Sequence, residues 1–171
     1  LKIHCLKYFQ NQILQFQHFS LSYDHHQIFE DLSLTIHQHD RILLKGPNGC
    51  VKSSLIRFIL GEKIEYDGQY ICGSQLKISY VPQDCTFLSG QLDDWIEQCH
   101  SYLTLVKTLL RKLGFSREHF DIPLEKLSQG QKKKVMLAIS LASPAHLYIW
   151  DEPLNYIDIF SRIQIEQAIL T

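Results

Sequence analysis

Apolar and polar residues alternate strictly over Leu32–Ile36 (LSLTI), the period of a strand with one buried face. The run from Ile13 to Leu21 alternates less regularly and predicts a second strand, with a turn near Asp24–Gln27. Arg41–Lys45 (RILLK) is short and continuously apolar between charged ends, as a strand buried on both faces would be. Leu55, Ile56, Ile59 and Leu60 recur at helical spacing and predict a helix over Lys52–Leu60, closed by Gly61 as C-cap. KISYV, ending at Pro82, predicts another apolar strand. From Gln91 to Gly114 the text turns helical, with Leu103, Val106, Leu110 and Leu113 three and four residues apart. Ser128 reads as the N-cap of a helix that continues through Val135–Ala142 as far as Pro144. His146–Trp150 (HLYIW) predicts a third buried strand running into Asp151-Glu152, and the pattern after Ser161 is helical again.

Strands alternating with helices predict an α/β domain with a mainly parallel sheet. The helical insert between Gln83 and Ser128 would stand apart from it. No internal repeat or low-complexity linker breaks the chain, and 171 residues suffice for one domain with a substantial core. A hydrophobic fraction of 45% and a charged fraction of 20% are those of a soluble globular protein. A formal charge of −1 gives no global pull toward nucleic acid or membrane, so any polyanion contact must come from a local patch.

Five cysteines, at 5, 50, 72, 85 and 99, include no C-x-x-C pair and fit free thiols in a reducing cytosol. His25-His26 and His37-x-His39 lack the neighbours of a zinc site and read as surface or turn residues. No apolar run reaches the ~18 residues of a membrane helix, and no signal peptide is expected. The chain opens on Leu1 and stops at Thr171 inside a helical pattern, so it is expected to be a fragment of a cytoplasmic protein.

The chemistry starts at LLKGPNGCVKSS, Leu43–Ser54. The phosphate-loop pattern is G-x-x-x-x-G-K-[ST], and Gly46, Lys52 and Ser53 stand where it needs them, with Val51 in place of the second glycine. Such a loop converges backbone N–H groups on phosphate at a helix N-terminus whose dipole favours negative charge. Lys52 would add a charge on the β- and γ-phosphates, and the Ser53 hydroxyl would ligate Mg²⁺. Asp151-Glu152 follows four apolar residues, which puts it at the carboxyl end of a buried strand, where open α/β sheets bind ligands. Asp151 can hold Mg²⁺ through water, and Glu152 can polarise an attacking water. In LSQGQKKKV, Leu127–Val135, Ser128, Gly130 and the following helix start form a second anion site of backbone amides. Lys132, Lys133 and Lys134 oppose the helix dipole there, at a few tenths of a kcal/mol each. They read either as a solvated basic face or as cations whose cost a neighbouring phosphate offsets.

GPNGCVKSS, YVPQD, LSQGQKKKV, LYIWDEP and LNYID, in this order, resemble the Walker A loop, Q-loop, signature, Walker B and D-loop of an ATP-binding-cassette (ABC) ATPase domain. The resemblance runs from about Phe16 to the end of the chain. It implies a P-loop NTPase fold: a RecA-like α/β core with an antiparallel β subdomain and a helical subdomain over about 84–143, truncated at the C-terminus. All of 1–171 would form one incomplete nucleotide-binding domain. Gly46, Pro47, Asn48, Gly49, Cys50, Val51, Lys52, Ser53 and Ser54 would cradle ATP, and Tyr23 would stack on its adenine. Gln83 would reach the Mg²⁺, which Ser53 and Asp151 also serve, and the attacking water. Glu152 is the implied catalytic residue. Ser128, Gln129, Gly130 and Gln131 would contact ATP bound to a second cassette in a head-to-tail sandwich, with Asp158 at the junction.

AHLYIWDEPLNYIDIFSRIQIE looks specifically like the ABC-F subfamily, whose members carry two cassettes on one chain and no membrane domain. Its antibiotic-resistance branch, which acts on the ribosome, is the nearest likeness, and the text is more like a C-terminal cassette. The family's long interdomain linker is not present here. A transporter ATPase and a nucleotide-incompetent remnant are the alternatives. Val51 motivates the latter: left-handed dihedrals there would cost a valine ~1–2 kcal/mol, with steric conflict on top. ATP binding is then expected to be at least ~10-fold weaker than with glycine. His39 also stands where the family usually has a glycine at a turn. The family's switch histidine follows the D-loop, and no histidine here stands after His146. Together these departures look like a decaying or partial copy.

Overall fold

A computed structural model describes the chain except residues 2, 4, 24, 25, 47–49 and 171, and the side chain of Cys50. Two compact units form, one of residues 6–78 and one of residues 1–5 with 79–171.

In the first unit β1 (Gln12–Tyr23) is the centre of a three-stranded antiparallel sheet, flanked by β2 (His26–His37) and β3 (Glu65–Cys72). The irregular alternation of β1 has a physical cause. Leu14 and Phe16 are buried at even positions, then Phe19 and Leu21 at odd ones. Between them His18 takes a left-handed φ of 46°, and the pairing to both neighbours shifts register there. This is a bulge, and the extra residue switches which parity faces the core. Gly68 of β3 lies against it at φ 92°, and a Cβ there would overlap the His18 carbonyl, so only glycine fits.

Helix α1 (Cys50–Ile59) brings Phe58 onto this sheet, 4.9 Å from the Phe19 ring and 4.8 Å from Tyr70. Phe16 and Phe19, at 1% and 0% exposure, each contribute about 1.5–3 kcal/mol of burial. β3 carries no apolar alternation, since EYDGQYIC is mostly exposed and interrupted by Gly68, which is why the pattern did not predict it.

The expected strand Arg41–Lys45 is not formed. It is irregular, with Ile42, Leu43 and Leu44 exposed at 43%, 75% and 41%. Continuous apolarity suits a strand covered on both faces, but hydrogen-bonded neighbours must supply that cover. The sheets of the described residues are the three-stranded antiparallel one and a two-stranded one, β4 (Ile78–Val81) with β5 (Leu147–Trp150), so the expected parallel sheet is represented among them by this short pair alone.

In the second unit the predicted helical run Gln91–Gly114 is two helices, α2 (Leu92–Gln98) and α3 (Leu103–Lys112). His100 breaks them apart at φ 50°. Val106, Leu110 and Leu113 are fully buried, as their spacing predicts. α2 and α3 share a core with α4 (Gln129–Ala142), through Leu92, Ile96, Val135 and Ala138. The Trp150 indole N–H donates to Ser140 Oγ of α4 at 2.9 Å, and Ser79 Oγ of β4 meets the same hydroxyl at 2.7 Å, which fixes α4 against β4 and β5. Helix α5 (Ile159–Leu170) follows, its Ile165 buried beside Val81 and Leu137.

His39 has φ 69°, in the turn where His37 N–H donates to Asp40 Oδ2 at 2.8 Å. Left-handed backbone costs a non-glycine residue ~1–2 kcal/mol, partly offset by the entropy a glycine loses on folding, ~0.5–1 kcal/mol. His39→Gly is therefore expected to stabilise the protein by up to about 1 kcal/mol in urea unfolding.

Candidate functional site

β4 and β5 end side by side, and the ladder continues one step further as Asp151 N–H donates to the Val81 carbonyl at 2.9 Å. The chain leaves β4 as Pro82-Gln83-Asp84 and leaves β5 as Asp151-Glu152. The two predicted catalytic residues meet there: Gln83 Nε2 donates to Glu152 Oε2 at 2.8 Å. Asn155 Nδ2 donates to the same oxygen at 2.5 Å, a partner that motif reading missed although it stands in the quoted LNYID. Glu152 has φ 46°, a left-handed conformation that costs a non-glycine residue about 1–3 kcal/mol and concentrates at functional sites. One carboxylate oxygen is thus pinned by two amides, while Oε1 accepts no hydrogen bond from either. Such a group can orient and polarise a water.

The three lysines overturn both sequence expectations. They are neither a solvated basic face nor a phosphate-facing cluster. Lys132 is 6% exposed, and its Nζ donates to the carbonyls of Thr86 and Leu88. Lys133 is 1% exposed, and its Nζ donates to the carbonyls of Pro82 at 2.7 Å, Gln83 at 2.9 Å and Asp151 at 3.2 Å. Lys134 Nζ reaches the Leu113 carbonyl at 2.6 Å and Asp158 Oδ2 at 2.5 Å. Spacing read the charges as exposed because nothing local showed that the long stems run inward to backbone oxygens. Burial pushes the Lys133 ammonium below its usual range, against the opposing pull of Cys85, Asp151, Glu152 and Asp84.

Ser128 caps α4 as expected, in a reciprocal box. Its Oγ accepts from Gln131 N–H at 3.2 Å, and Gln131 Oε1 accepts from Ser128 N–H at 2.8 Å. Of the predicted ATP-contacting side chains, Ser128 and Gln131 therefore have partners at the helix start, while Gln129 is exposed. Gly130 packs on the backbone of Tyr156, and an added Cβ would overlap the Tyr156 carbonyl oxygen. Asp158 caps α5, accepting from Ser161 N–H at 3.0 Å and Ser161 Oγ at 2.9 Å, and pairs with Lys134. The hydrogen bond from Lys134 first, then those from Ser161, hold its carboxyl far below the usual carboxylate range.

The phosphate-loop candidates belong to the other unit. Lys52 Nζ donates to the Gly46 carbonyl at 3.2 Å. Pro47, Asn48, Gly49 and the Cys50 side chain lie outside the described residues. Ser53 is half-buried and Ser54 buried at the start of α1. Val51 is already inside α1 and is not among the residues with positive φ, so the left-handed strain expected of it does not arise. What remains is the bulk of its branched Cβ. Tyr23 ends β1 and is 52% exposed. Among the residues expected to serve Mg²⁺, Asp151 and Gln83 at the ends of β5 and β4 bring a carboxylate and an amide oxygen, both hard oxygen donors. They fit an ion that takes only one or two protein groups beside phosphates and water.

The family description "ABC transporter" matches residues 29–155. The chain is 26% identical over 161 residues to the zinc import ATP-binding protein ZnuC of Acinetobacter baylyi, covering 92% of this chain and 62% of that protein. It is 26% identical over 163 residues to the ribosome protection protein VmlR of Bacillus subtilis, covering 92% of this chain and 29% of that one. It thus spans less than two thirds of either relative. A solved bacterial Atm1-family ABC exporter with ATP bound superposes with a TM-score of 0.79 at 18% identity, over 98% of this chain and 33% of that chain.

Gly130→Ala must displace the Tyr156 segment and is expected to destabilise the protein by about 1–3 kcal/mol, the range of overpacking, in urea unfolding. Asp158 is depressed in the folded state, so its contribution is present above the unfolded value near 3.8 and is lost as pH falls toward the folded one. The gap in thermal midpoint between the parent and Asp158→Asn is therefore expected to be constant near neutral pH and to narrow steadily below pH about 4.

Proposed function

The chain belongs to the ABC transporter family as an ATP-binding-cassette ATPase domain, and from that premise we propose how its residues hydrolyse ATP. The carrying observation is the contact of Gln83 with Glu152 at the adjoining ends of β4 and β5. Glu152, steadied by Gln83 and Asn155, orients the attacking water and takes its proton. Lys52 neutralises phosphate charge, and the amides at the start of α1 bind phosphate oxygens. Asp151 and Gln83 would hold Mg²⁺ at the ends of β5 and β4, and Ser53 is the metal-serving hydroxyl proposed for the start of α1; the ion would neutralise charge that builds on the phosphate oxygens. Ser128, Gln129, Gly130 and Gln131 form the face offered to ATP on a second cassette, and Tyr23 offers its exposed ring to adenine.

At the finer level the reading is an ABC-F type cassette, paired with a second one in the intact protein and acting on the ribosome in antibiotic resistance. Its support is the text from Ala145 to Glu166 and the similarity to VmlR. Transporter ATPase is the second reading, favoured by the similarity to a zinc import ATP-binding protein over 62% of that protein's length. Among the described residues no helix is long and apolar enough to cross a membrane, which suits either reading. Co-sedimentation with ribosomes distinguishes them: Glu152→Gln, which holds ATP unhydrolysed, is expected to pellet with ribosomes in Mg²⁺-ATP if the first reading is right, and to stay in the supernatant if the second is.

A Mg²⁺-ATP titration of this chain beside its Val51→Gly variant tests nucleotide binding itself. With backbone strain absent, the expected gain in affinity is several-fold and at most about tenfold, or 1.4 kcal/mol. Binding by neither chain would leave a nucleotide-incompetent remnant.

A further inference from the structure

The structure assigns to Lys133 a positioning role in the proposed reaction: its buried ammonium ties together the two strand ends that carry Gln83 and Glu152. An ammonium has three N–H donors and no acceptor. Here the acceptors are three backbone carbonyls, Pro82, Gln83 and Asp151, at 2.7, 2.9 and 3.2 Å. Two lie just after β4 and one just after β5. The next contact along each segment is the Gln83 to Glu152 hydrogen bond itself.

The arrangement is directional. Lys133 is the fifth residue of α4, one turn beyond the Ser128–Gln131 capping box. The first two turns of one helix therefore carry the face proposed to meet a partner's ATP and the cation that holds the proposed catalytic pair in register. Glu152 is in left-handed backbone, a conformation that persists only where its surroundings over-determine it. The carbonyl of the preceding residue, Asp151, is one of the three that Lys133 holds, which fixes the peptide plane leading into Glu152. The acidic groups Asp84, Asp151 and Glu152 lie near enough to favour the cation, and the thiol of Cys85 packs beside it. Lys132 and Lys134 bind other segments, so they do not duplicate this contact.

This inference rests on the ATPase reading for its catalytic meaning, and the test separates the two. Lys133→Met, which keeps the stem and removes the donors, and Lys133→Gln, which keeps two donors, are compared with the parent chain by amide hydrogen exchange and by Mg²⁺-ATP binding and turnover. In Lys133→Met, exchange at Asp151 N–H is expected to speed up at least ~10-fold while the α4 amides from Val135 to Ala142 change less than ~2-fold. Turnover is expected to fall at least ~10-fold with KM for ATP within ~3-fold, and Lys133→Gln to recover part of both effects. Uniform loss of protection through α4, or unchanged exchange at Asp151, would overturn the positioning role. If the parent fails to bind Mg²⁺-ATP, the ATPase reading falls, and with it the catalytic meaning of Lys133.

Discussion

Three carbonyl oxygens converge on one ammonium in the interior of the larger unit, and most of what is arranged around them follows from that constraint. A buried amine without partners would be far too costly to keep charged. Each bond from a charged donor is worth about 1.5–3 kcal/mol, whereas a lysine at a helix N-terminus loses only about 0.3–1 kcal/mol to the dipole. The hydrogen bonds win. The consequence is that α4 cannot shift its first turn without disturbing the ends of β4 and β5. The neighbouring lysines extend the same logic, Lys132 to the segment after Gln83 and Lys134 to Leu113 and Asp158.

The smaller unit is organised by a different device. One bulge at His18 lets a single strand present Leu14 and Phe16, then Phe19 and Leu21, to the same core. Phe58 fixes α1 on that sheet through ring contacts near 5 Å, and α1 carries Lys52, Ser53 and Val51 at its start. The position of the candidate phosphate-loop helix is thus a matter of aromatic packing, while the proposed catalytic pair is a matter of buried polar contacts. Val51 belongs to the first of these. It sits in helical backbone, where a β-branched residue loses only a few tenths of a kcal/mol.

Much of the candidate site could be read directly. The motifs single out Glu152 and Gln83 as candidates, and their contact follows from two strands ending side by side. Ser128 was identified as a cap because its residue type and the helix behind it are local properties. The lysines were misread because a side chain of four methylenes carries its charge well away from its own backbone. Asn155 was passed over because its relation to Glu152 depends on a turn whose residues, Glu152 and Tyr156, both have left-handed backbone, which their types do not announce.

By itself the chain's text determined where the chain is helical, though not the break at His100, since periodicity and caps are written within a few residues, and it carried the ordered motifs that mark the family. It also singled out His39, whose left-handed φ makes glycine the natural occupant. Tertiary structure alone decided that β1 bulges, that β3 joins its edge, that Arg41–Lys45 does not pair, and that the lysines of α4 point inward. The physical reason is common to all four. Each depends on hydrogen bonds or cover supplied by residues far along the chain, and no local pattern encodes which distant carbonyl or strand will be there to supply them.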